Sequence, residues 1–592
     1  MAFFTPSLSP AVVVREFDLT GIVPNVGTIT GVFVGNYRWG PVDQPTFVDN
    51  EARLVSLFAS PDTNTTVDFH TAAHFSKYSN QLLNIRAVDA SAFNAYDSDA
   101  STSFASTRST RLVKNETHFT DLRSALDSDA HSFIGKYPGS LGNSIQIQMC
   151  SFDTGDSAFE SWSLRNQFDQ APGTSTYLTG KNGSNDEVHV AVIDQDGLFT
   201  GTKGEVLETF PYLSLARNAK NADGSTNYIA DVLNNQSDYI WLVDAANIDS
   251  DYRVAGAGTD AADSGADYSL ISSAQGVKTI SLVNGANSGA LGTSEYANAF
   301  DLIEDVDAYQ VDFLIAPPVT VTNGANTTAD AIITDLNSIA AVTRKDCVVV
   351  ASPPKAAVIN TTTPVDDTIE FANLLPSSSY TFLDNNYLKV FDKYNDQYID
   401  IPANGSTAGL MAQSDQDTAP WFSPAGLRRG QYFGAIDIAH SPTKADRDRL
   451  YRANVNPIAN IPGAGITLFG DKTMLRRPSA FDRINVRRLF LTLERAIARA
   501  AKSVLFEFND EFTRAEFVNL VEPFLREVKG RRGITDFRVV CDETNNTPEI
   551  IDRNEFIATI FIKPARSINF ITLNFVAVRT GVDFEEVVGL QF

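Results

Sequence analysis

Two apolar runs that end in proline set the frame for this chain: VDFLIAPP (Val311–Pro318) and DCVVVASPP (Asp346–Pro354). Neither alternates polar with apolar residues, so neither can lie on a sheet with one wet face; both read as central parallel strands followed by loops. The buried run ITGVFVGNYRWGP (Ile29–Pro41) and LLNIRAV (Leu82–Val88) give further strands, and EARLVSLF (Glu51–Phe58) and HTAAHFSKYSN (His70–Asn80) are helical. Strands alternating with helices predict an α/β layer. IQIQM (Ile145–Met149) and HVAVID (His189–Asp194) read as strands of a mostly β insertion. Residues 91–135, rich in Ser, Asp, Ala and Thr, mark a change of domain, and the small and acidic residues at 245–270 read as a surface loop or linker.

The last third is strongly patterned. From Arg483 to Phe506, Val486, Leu489, Phe490, Leu493, Ile497, Ala500 and Val504 recur at helical spacing. Arg488, Arg495, Arg499 and Lys502 fall on another face as one basic stripe, which fits either a solvated helix face or a binding face. A second helix is expected over Glu511–Lys529, with Phe512, Phe517, Leu520, Val521, Phe524 and Val528 inward, closing in Lys529, Gly530, Arg531 and Arg532. FRVVCD (Phe537–Asp542), FIATIFIKP (Phe556–Pro564) and SINFITLNFVAV (Ser567–Val578) follow as β segments. Each end carries a strand without a local partner, AVVVREF (Ala11–Phe17) and the closing EEVVGLQF (Glu585–Phe592), so each must pair with something distant or with another molecule.

At 592 residues the chain has room for about three or four domains. Its 47 basic and 72 acidic residues give a net charge of −25, a poor balance for neutralising a nucleic-acid backbone. The charge is divided: Trp421–Phe592 holds 25 basic and 21 acidic residues, a net of +4, leaving −29 for the rest. Three widely separated cysteines, Cys150, Cys347 and Cys541, argue against a disulfide framework or zinc site and for a reducing compartment. No signal peptide is read in MAFFTPSLSP, and no run reaches the ~18 apolar residues of a membrane span.

Catalytic signatures are missing. Phosphate-binding glycine motifs and the nucleophile elbow do not occur. His70 and His74 share a helical face and could hold a metal, but two polar surface histidines are the expected reading. Asp194–Gly197 (DQDG) starts like a calcium loop but has Leu198 and Phe199 where an oxygen ligand and a glycine are needed, so a turn is expected. We expect no enzyme, no metal and no cofactor.

Longer segments carry a resemblance: SPAVVVREFD (Ser9–Asp18), GKYPGSLGNSI (Gly135–Ile145), DGLFTGTKGEVLETF (Asp196–Phe210), DGSTNYIADVLN (Asp223–Asn234), SYTFLDNNYLKVFDKYNDQYIDIPANG (Ser379–Gly405), PWFSPAGLRRGQ (Pro420–Gln431), NVNPIANIPGAGITLFGDKTM (Asn454–Met474), RINVRRLFLTLERAI (Arg483–Ile497) and CDETNNTPEIIDRNEF (Cys541–Phe556). The chain resembles contractile-tail sheath proteins of myovirus-type phages. The resemblance implies a structural subunit of the virion tail, made and assembled in the host cytoplasm. Its copies would stack as six-membered rings around a tail tube in a metastable extended state, contracting to drive the tube through the host envelope. Implied partners are other copies of the chain, the tube protein, the baseplate and the tail terminator or neck proteins, with no nucleic acid and no membrane. A tail-like bacteriocin or another contractile injection system would share these features; a capsid or surface adhesin would explain acidity but not two exchangeable arms.

The implied organisation is α+β and multidomain: an N-terminal linking arm at 1–20, a discontinuous α/β middle domain at 21–95 and 231–420, a mostly β outer insertion at 96–230, an inner domain at 421–583 against the tube, and a C-terminal linking arm at 584–592. Val12, Val13, Val14 and Phe17, with Val587, Val588, Leu590 and Phe592, would join the sheet of neighbouring subunits, ordering only in the polymer. Arg488, Arg495, Arg499, Lys502, Lys529, Arg531 and Arg532 are the candidate tube contacts.

Overall fold

The computed structural model describes residues 29–97, 112–126, 133–152, 155–181, 184–243, 277–318 and 327–567. The arm residues Val12, Val13, Val14, Phe17, Val587, Val588, Leu590 and Phe592 lie outside the described residues, as do the 245–270 segment and most of SINFITLNFVAV. The chain divides into two compact units: Asn25–Pro420 with Pro424–Ala496, and Met1–Pro24 with Trp421–Ser423 and Ile497–Phe592. Together they make a mixed α/β multidomain protein.

The larger unit is built on a six-stranded sheet ordered Thr381–Leu383, Val348–Ala351, Phe313–Ile315, Gly31–Gly35, Leu82–Arg86, Thr46–Val48; all neighbours are parallel except the last pair. Alternate residues feed two different cores. Phe33, Phe313, Val348, Val350 and Phe382 pack on one face, with the helices Thr66–Ser76 and Asn404–Asp417. Val32, Leu83, Leu314, Val349 and Leu383 pack on the other, with Thr293–Asp301, Thr327–Ser338 and Pro364–Leu374. Both faces being covered explains why these strands read as unbroken apolar runs. The two helices of the first face approach closely because a Cβ on Gly405 would stand 2.5 Å from the Thr71 carbonyl oxygen.

That crowding overturns the expectation of surface histidines. His70 and His74 are both buried, because the Thr66–Ser76 helix is covered on most of its circumference. His70 Nε2 lies 3.2 Å from Asp392 Oδ1. The ring nitrogens of His74 lie 3.2 Å from Ser406 Oγ and 2.8 Å from Lys77 Nζ. Burial lowers the pKa of both rings, most strongly that of His74.

A seven-stranded antiparallel sheet forms the insertion, ordered Glu205–Ser214, Glu187–Asp194, Ile145–Ser151, Val277–Val283, Asn94–Asp97, Phe133–Pro138, Ile240–Leu242. Its extent differs from the expected 96–230. Val277–Val283 lies in the middle of the sheet, between Ile145–Ser151 and Asn94–Asp97, so residues expected in the middle domain belong to the insertion. The polar, small-residue stretch before it hides that return from a reading of the sequence. The DQDG segment is a turn, as expected: the Asp194 carboxylate accepts from the backbone amides of Leu198, Phe199 and Thr200 at 3.0, 2.9 and 2.8 Å.

The smaller unit has its own short core. Phe517, Val521, Leu525 and Val528 form the buried stripe of the Glu511–Gly530 helix beside the antiparallel pair Ile534–Val540 and Thr559–Pro564. Phe512, expected inward, is 78% exposed at the first turn, and Leu520 and Phe524 are half-buried.

Candidate assembly surfaces

In doubly wound sheets, ligands sit beyond the C-terminal ends of the parallel strands, near the point where strand order reverses. Here the reversal falls between Gly31–Gly35 and Phe313–Ile315. Beyond Phe313–Ile315 and Val348–Ala351 the crevice is lined by Pro317, Pro318, Pro353 and Pro354 with Ile332 and Ile333. Asn404 Nδ2 donates to the Ala316 carbonyl at 2.6 Å and the Tyr387 hydroxyl to the Pro353 carbonyl at 3.1 Å, tying the crevice shut. Four prolines bring no N–H groups, so these positions cannot form the amide cradle that phosphate needs. Among the described residues, no group of three or more His, Cys, Asp or Glu side chains is placed to hold a metal.

The basic residues of the last third therefore carry the functional question. The helix Ile484–Ala501 buries Val486, Leu489, Leu493 and Ala500, as its spacing predicts, while Phe490 and Ile497 are half-buried. Its arginines do not form an open stripe. Arg488 is 4% exposed, ion-paired with Asp415 and close to the Met411 carbonyl at 3.3 Å. Burial pushes the Asp415 carboxyl up, while the Arg488 guanidinium pulls it back down. Arg495 donates to Asp312 Oδ1 at 2.6 Å and to the carbonyls of Val311 and Asp346 at 2.9 and 2.7 Å. Both guanidiniums make their ion pairs inside the larger unit. Arg488 and Arg495 are thus corrected from candidate tube contacts to internal cross-links. The helix is packed against the sheet ends as well as along its apolar stripe, so sharing a face does not mean facing water.

The remaining candidates behave differently. Arg499 is half-buried and Lys502 exposed. Lys529, Arg531 and Arg532 are exposed at the end of the Glu511–Gly530 helix, where cations complement the helix dipole. Lys529 Nζ is 3.1 Å from Asp536, and Arg531 lies 3.7 Å from Glu527 and over the Trp421 ring at 5.1 Å. Trp421 Nε1 returns a hydrogen bond to the Arg531 carbonyl at 3.1 Å. The helix closes by a Schellman pattern: Arg532 N donates to the Lys529 carbonyl at 3.0 Å and Gly533 N to the Val528 carbonyl at 2.9 Å. Arg532 occupies the left-handed position, φ 67°, where glycine is usual. Gly533 is needed for packing, since a Cβ there would stand 2.8 Å from Val528 and 3.0 Å from Trp421.

The charge excess also relocates. Residues 424–496 carry 13 basic and 6 acidic side chains, whereas 497–567 carry 11 and 12. The positive part of the last third therefore belongs to the larger unit, not to the smaller one.

Fold and surfaces together define a class: a multidomain α/β protein whose notable chemistry lies on exposed charged and apolar surfaces. Residues 289–474 match the phage tail sheath protein central domain, and residues 476–577 match the phage tail sheath C-terminal domain. The chain is 30% identical to the tail sheath protein of Vibrio phage KVP40, with 98% of this chain and 100% of that protein covered. It is 31% identical to the tail sheath protein of Enterobacteria phage T4, with 98% and 99% covered. The crystal structure of a sheath tail protein from Listeria innocua shares the fold, with a TM-score of 0.53 at 11% identity, covering 92% of this chain and 93% of that one. This chain belongs to the phage tail sheath protein family.

Proposed function

We propose that the chain is the sheath subunit of a contractile phage tail. Copies stack as six-membered rings around the tail tube in an extended, metastable state. Released at the baseplate, they rearrange and drive the tube through the host envelope. The observation that carries this reading is end-to-end likeness: 98% of the chain aligns with nearly all of the T4 sheath protein. The relatives it matches are structural proteins, and the role is mechanical, with energy held as a difference between two packings of one chain. The proline-lined crevice suits a machine that needs no nucleotide at that place.

The smaller unit supports linkage between copies. Its described residues give a sheet of two strands, Ile534–Val540 and Thr559–Pro564, and two-stranded sheets are marginal by themselves. Strand addition by the arms of neighbouring subunits, through Val12, Val14, Val588 and Leu590, would enlarge that sheet. Each such side chain buried contributes roughly 1.5–3 kcal/mol, against roughly 1–2 kcal/mol per residue for ordering the arm. Ordering the arms costs more than these four side chains return, so the ladder hydrogen bonds of a neighbour's sheet must supply the rest, and pairing is a property of the polymer. Lys502, Lys529, Arg531 and Arg532, with the half-buried Arg499, are the proposed tube contacts; exposed charge pairs are worth about 0–1 kcal/mol each, which suits a contact that must release.

Electron microscopy of the purified chain tests the reading: hollow tubes are expected, and discrete particles would refute it. Removing residues 1–17 should leave folded protein that does not polymerise; tubes like those of the intact chain would refute arm exchange. Reversing Arg531 and Arg532 to Glu should weaken assembly on the tube more than self-polymerisation.

A further inference from the structure

Residues 502–512 of the smaller unit turn four large apolar side chains to solvent: Leu505, Phe506, Phe508 and Phe512 are 61%, 104%, 83% and 78% exposed. Single exposed apolar residues are ordinary, but a cluster marks an interaction surface. At ~150–250 Å2 per aromatic side chain, this loop offers on the order of 500 Å2 of apolar area. That is a large share of the roughly 800 Å2 one partner contributes to a standard interface. Phe506 is held at φ 73°, a left-handed conformation that bulky side chains avoid. Glu507, Asp510 and Glu511 are interleaved with the aromatic residues, so a fitting partner has an apolar centre and a cationic rim.

The larger unit carries a basic surface around one half-exposed aromatic ring. On the Lys444–Arg452 helix, Lys444 and Arg452 are exposed, and the Arg447 guanidinium lies 5.7 Å from the ring of Phe469, itself 48% exposed. Asn454 Nδ2 donates to the Leu475 carbonyl at 3.2 Å, holding the segment with exposed Arg477 beside the helix end.

We propose that the Leu505–Phe512 loop of one copy docks on the Phe469 surface, rimmed by Lys444, Arg447, Arg452 and Arg477, of a second copy. The inference rests on the sheath reading and deepens it. Two different patches meet, so the contact is heterologous and can propagate through a ring or helix. The apolar area of the loop suits a contact kept between sheath copies, whereas the tube contact must release.

Two full-length variants test it, both altered at exposed positions and both checked for wild-type melting: Phe506→Ser with Phe508→Ser, and Lys444→Glu with Arg452→Glu. Each should raise the critical concentration for polymerisation at least tenfold. Mixed together, they should form a capped dimer by light scattering, because each retains one intact surface; neither alone should do so. Polymerisation of both at the wild-type concentration, or the absence of the mixed dimer, overturns the proposal. So does a loop variant that self-polymerises normally but fails on the tube, which would make the tube the occupant. The dimer readout needs no polymer, so a wild-type chain that formed no tubes would count against the sheath reading alone.

Discussion

Arg488 and Lys529 come from one basic set in the sequence and meet opposite fates in the fold. Arg488 and its partner Asp415 are only 5% and 6% exposed at the side chain, whereas Lys529 and Asp536 are 47% and 59% exposed. The first pair is part of the larger unit's interior, and the second is a solvated contact at a helix end. Helical spacing says which residues share a direction; only the packing of neighbours decides whether that direction is wet. The largest expected effect follows from this. Arg488→Ala leaves the Asp415 carboxylate buried and unpaired, and removing one member of a buried pair costs about 3–5 kcal/mol. Calorimetry should place the melting transition of the larger unit well below wild type. Arg488→Met with Asp415→Leu should recover most of that loss, since well-packed apolar replacements of buried pairs are often neutral. Failure of the double variant to recover would mean that the arginine's hydrogen bond to the Met411 carbonyl matters more than the pair.

The buried histidines extend the comparison to charge that the interior excludes. His74 has a folded pKa well below its ordinary value of 6.5, so the unfolded chain binds the proton first. Its contribution to stability is therefore present above about pH 6.5 and is lost as the pH falls. Between pH 7 and pH 5, His74→Gln should spare the protein about 1–2 kcal/mol of the acid destabilisation seen in the wild type. Denaturant melts at the two pH values measure this, and equal losses in both proteins would place the titrating group elsewhere.

What was legible in the sequence follows the same physical line. The unbroken runs around Phe313–Ile315 and Val348–Ala351 announce strands covered on both faces, because burial on both sides leaves no position for a polar residue. The Phe517, Val521 and Val528 stripe is likewise readable, since a helix on a small core keeps one face wet. Arg86 was not readable. It is fully buried with no carboxylate paired to it among the described residues, its guanidinium donating to the carbonyls of Tyr37, Gly40 and Pro138 at 2.9, 2.8 and 2.7 Å, and burial lowers its pKa to about 9. Its partners are backbone atoms, which leave no mark on composition. The same blindness hid the return of Val277–Val283 into the antiparallel sheet and put Phe512 on the wrong side of its helix. In each case long-range packing, absent from local spacing, made the decision.

Arg532 offers a smaller and signed effect. A non-glycine residue in the left-handed region costs on the order of 1 kcal/mol. Arg532→Gly should therefore raise the melting temperature of the smaller unit slightly while removing one of the proposed tube contacts. Stability rising as tube assembly weakens would mark the strain as kept for function; no gain in stability would mean that the arginine stem contributes packing that offsets it.

The smallest effect is expected at Lys529, and it tests the comparison most directly. Its ion pair with Asp536, at 3.1 Å, has ordinary geometry, so distance alone would rank it with internal pairs. Solvent on both partners argues otherwise, because water and salt screen the attraction and two mobile side chains lose entropy in holding one arrangement. Lys529→Ala should leave melting unchanged within error and make it no more sensitive to salt, while Arg488→Ala unfolds the larger unit early at any ionic strength. If the two substitutions proved equally damaging, exposure would not be what separates the two basic groups, and the assignment of Lys529, Arg531 and Arg532 to a docking surface would lose its physical basis.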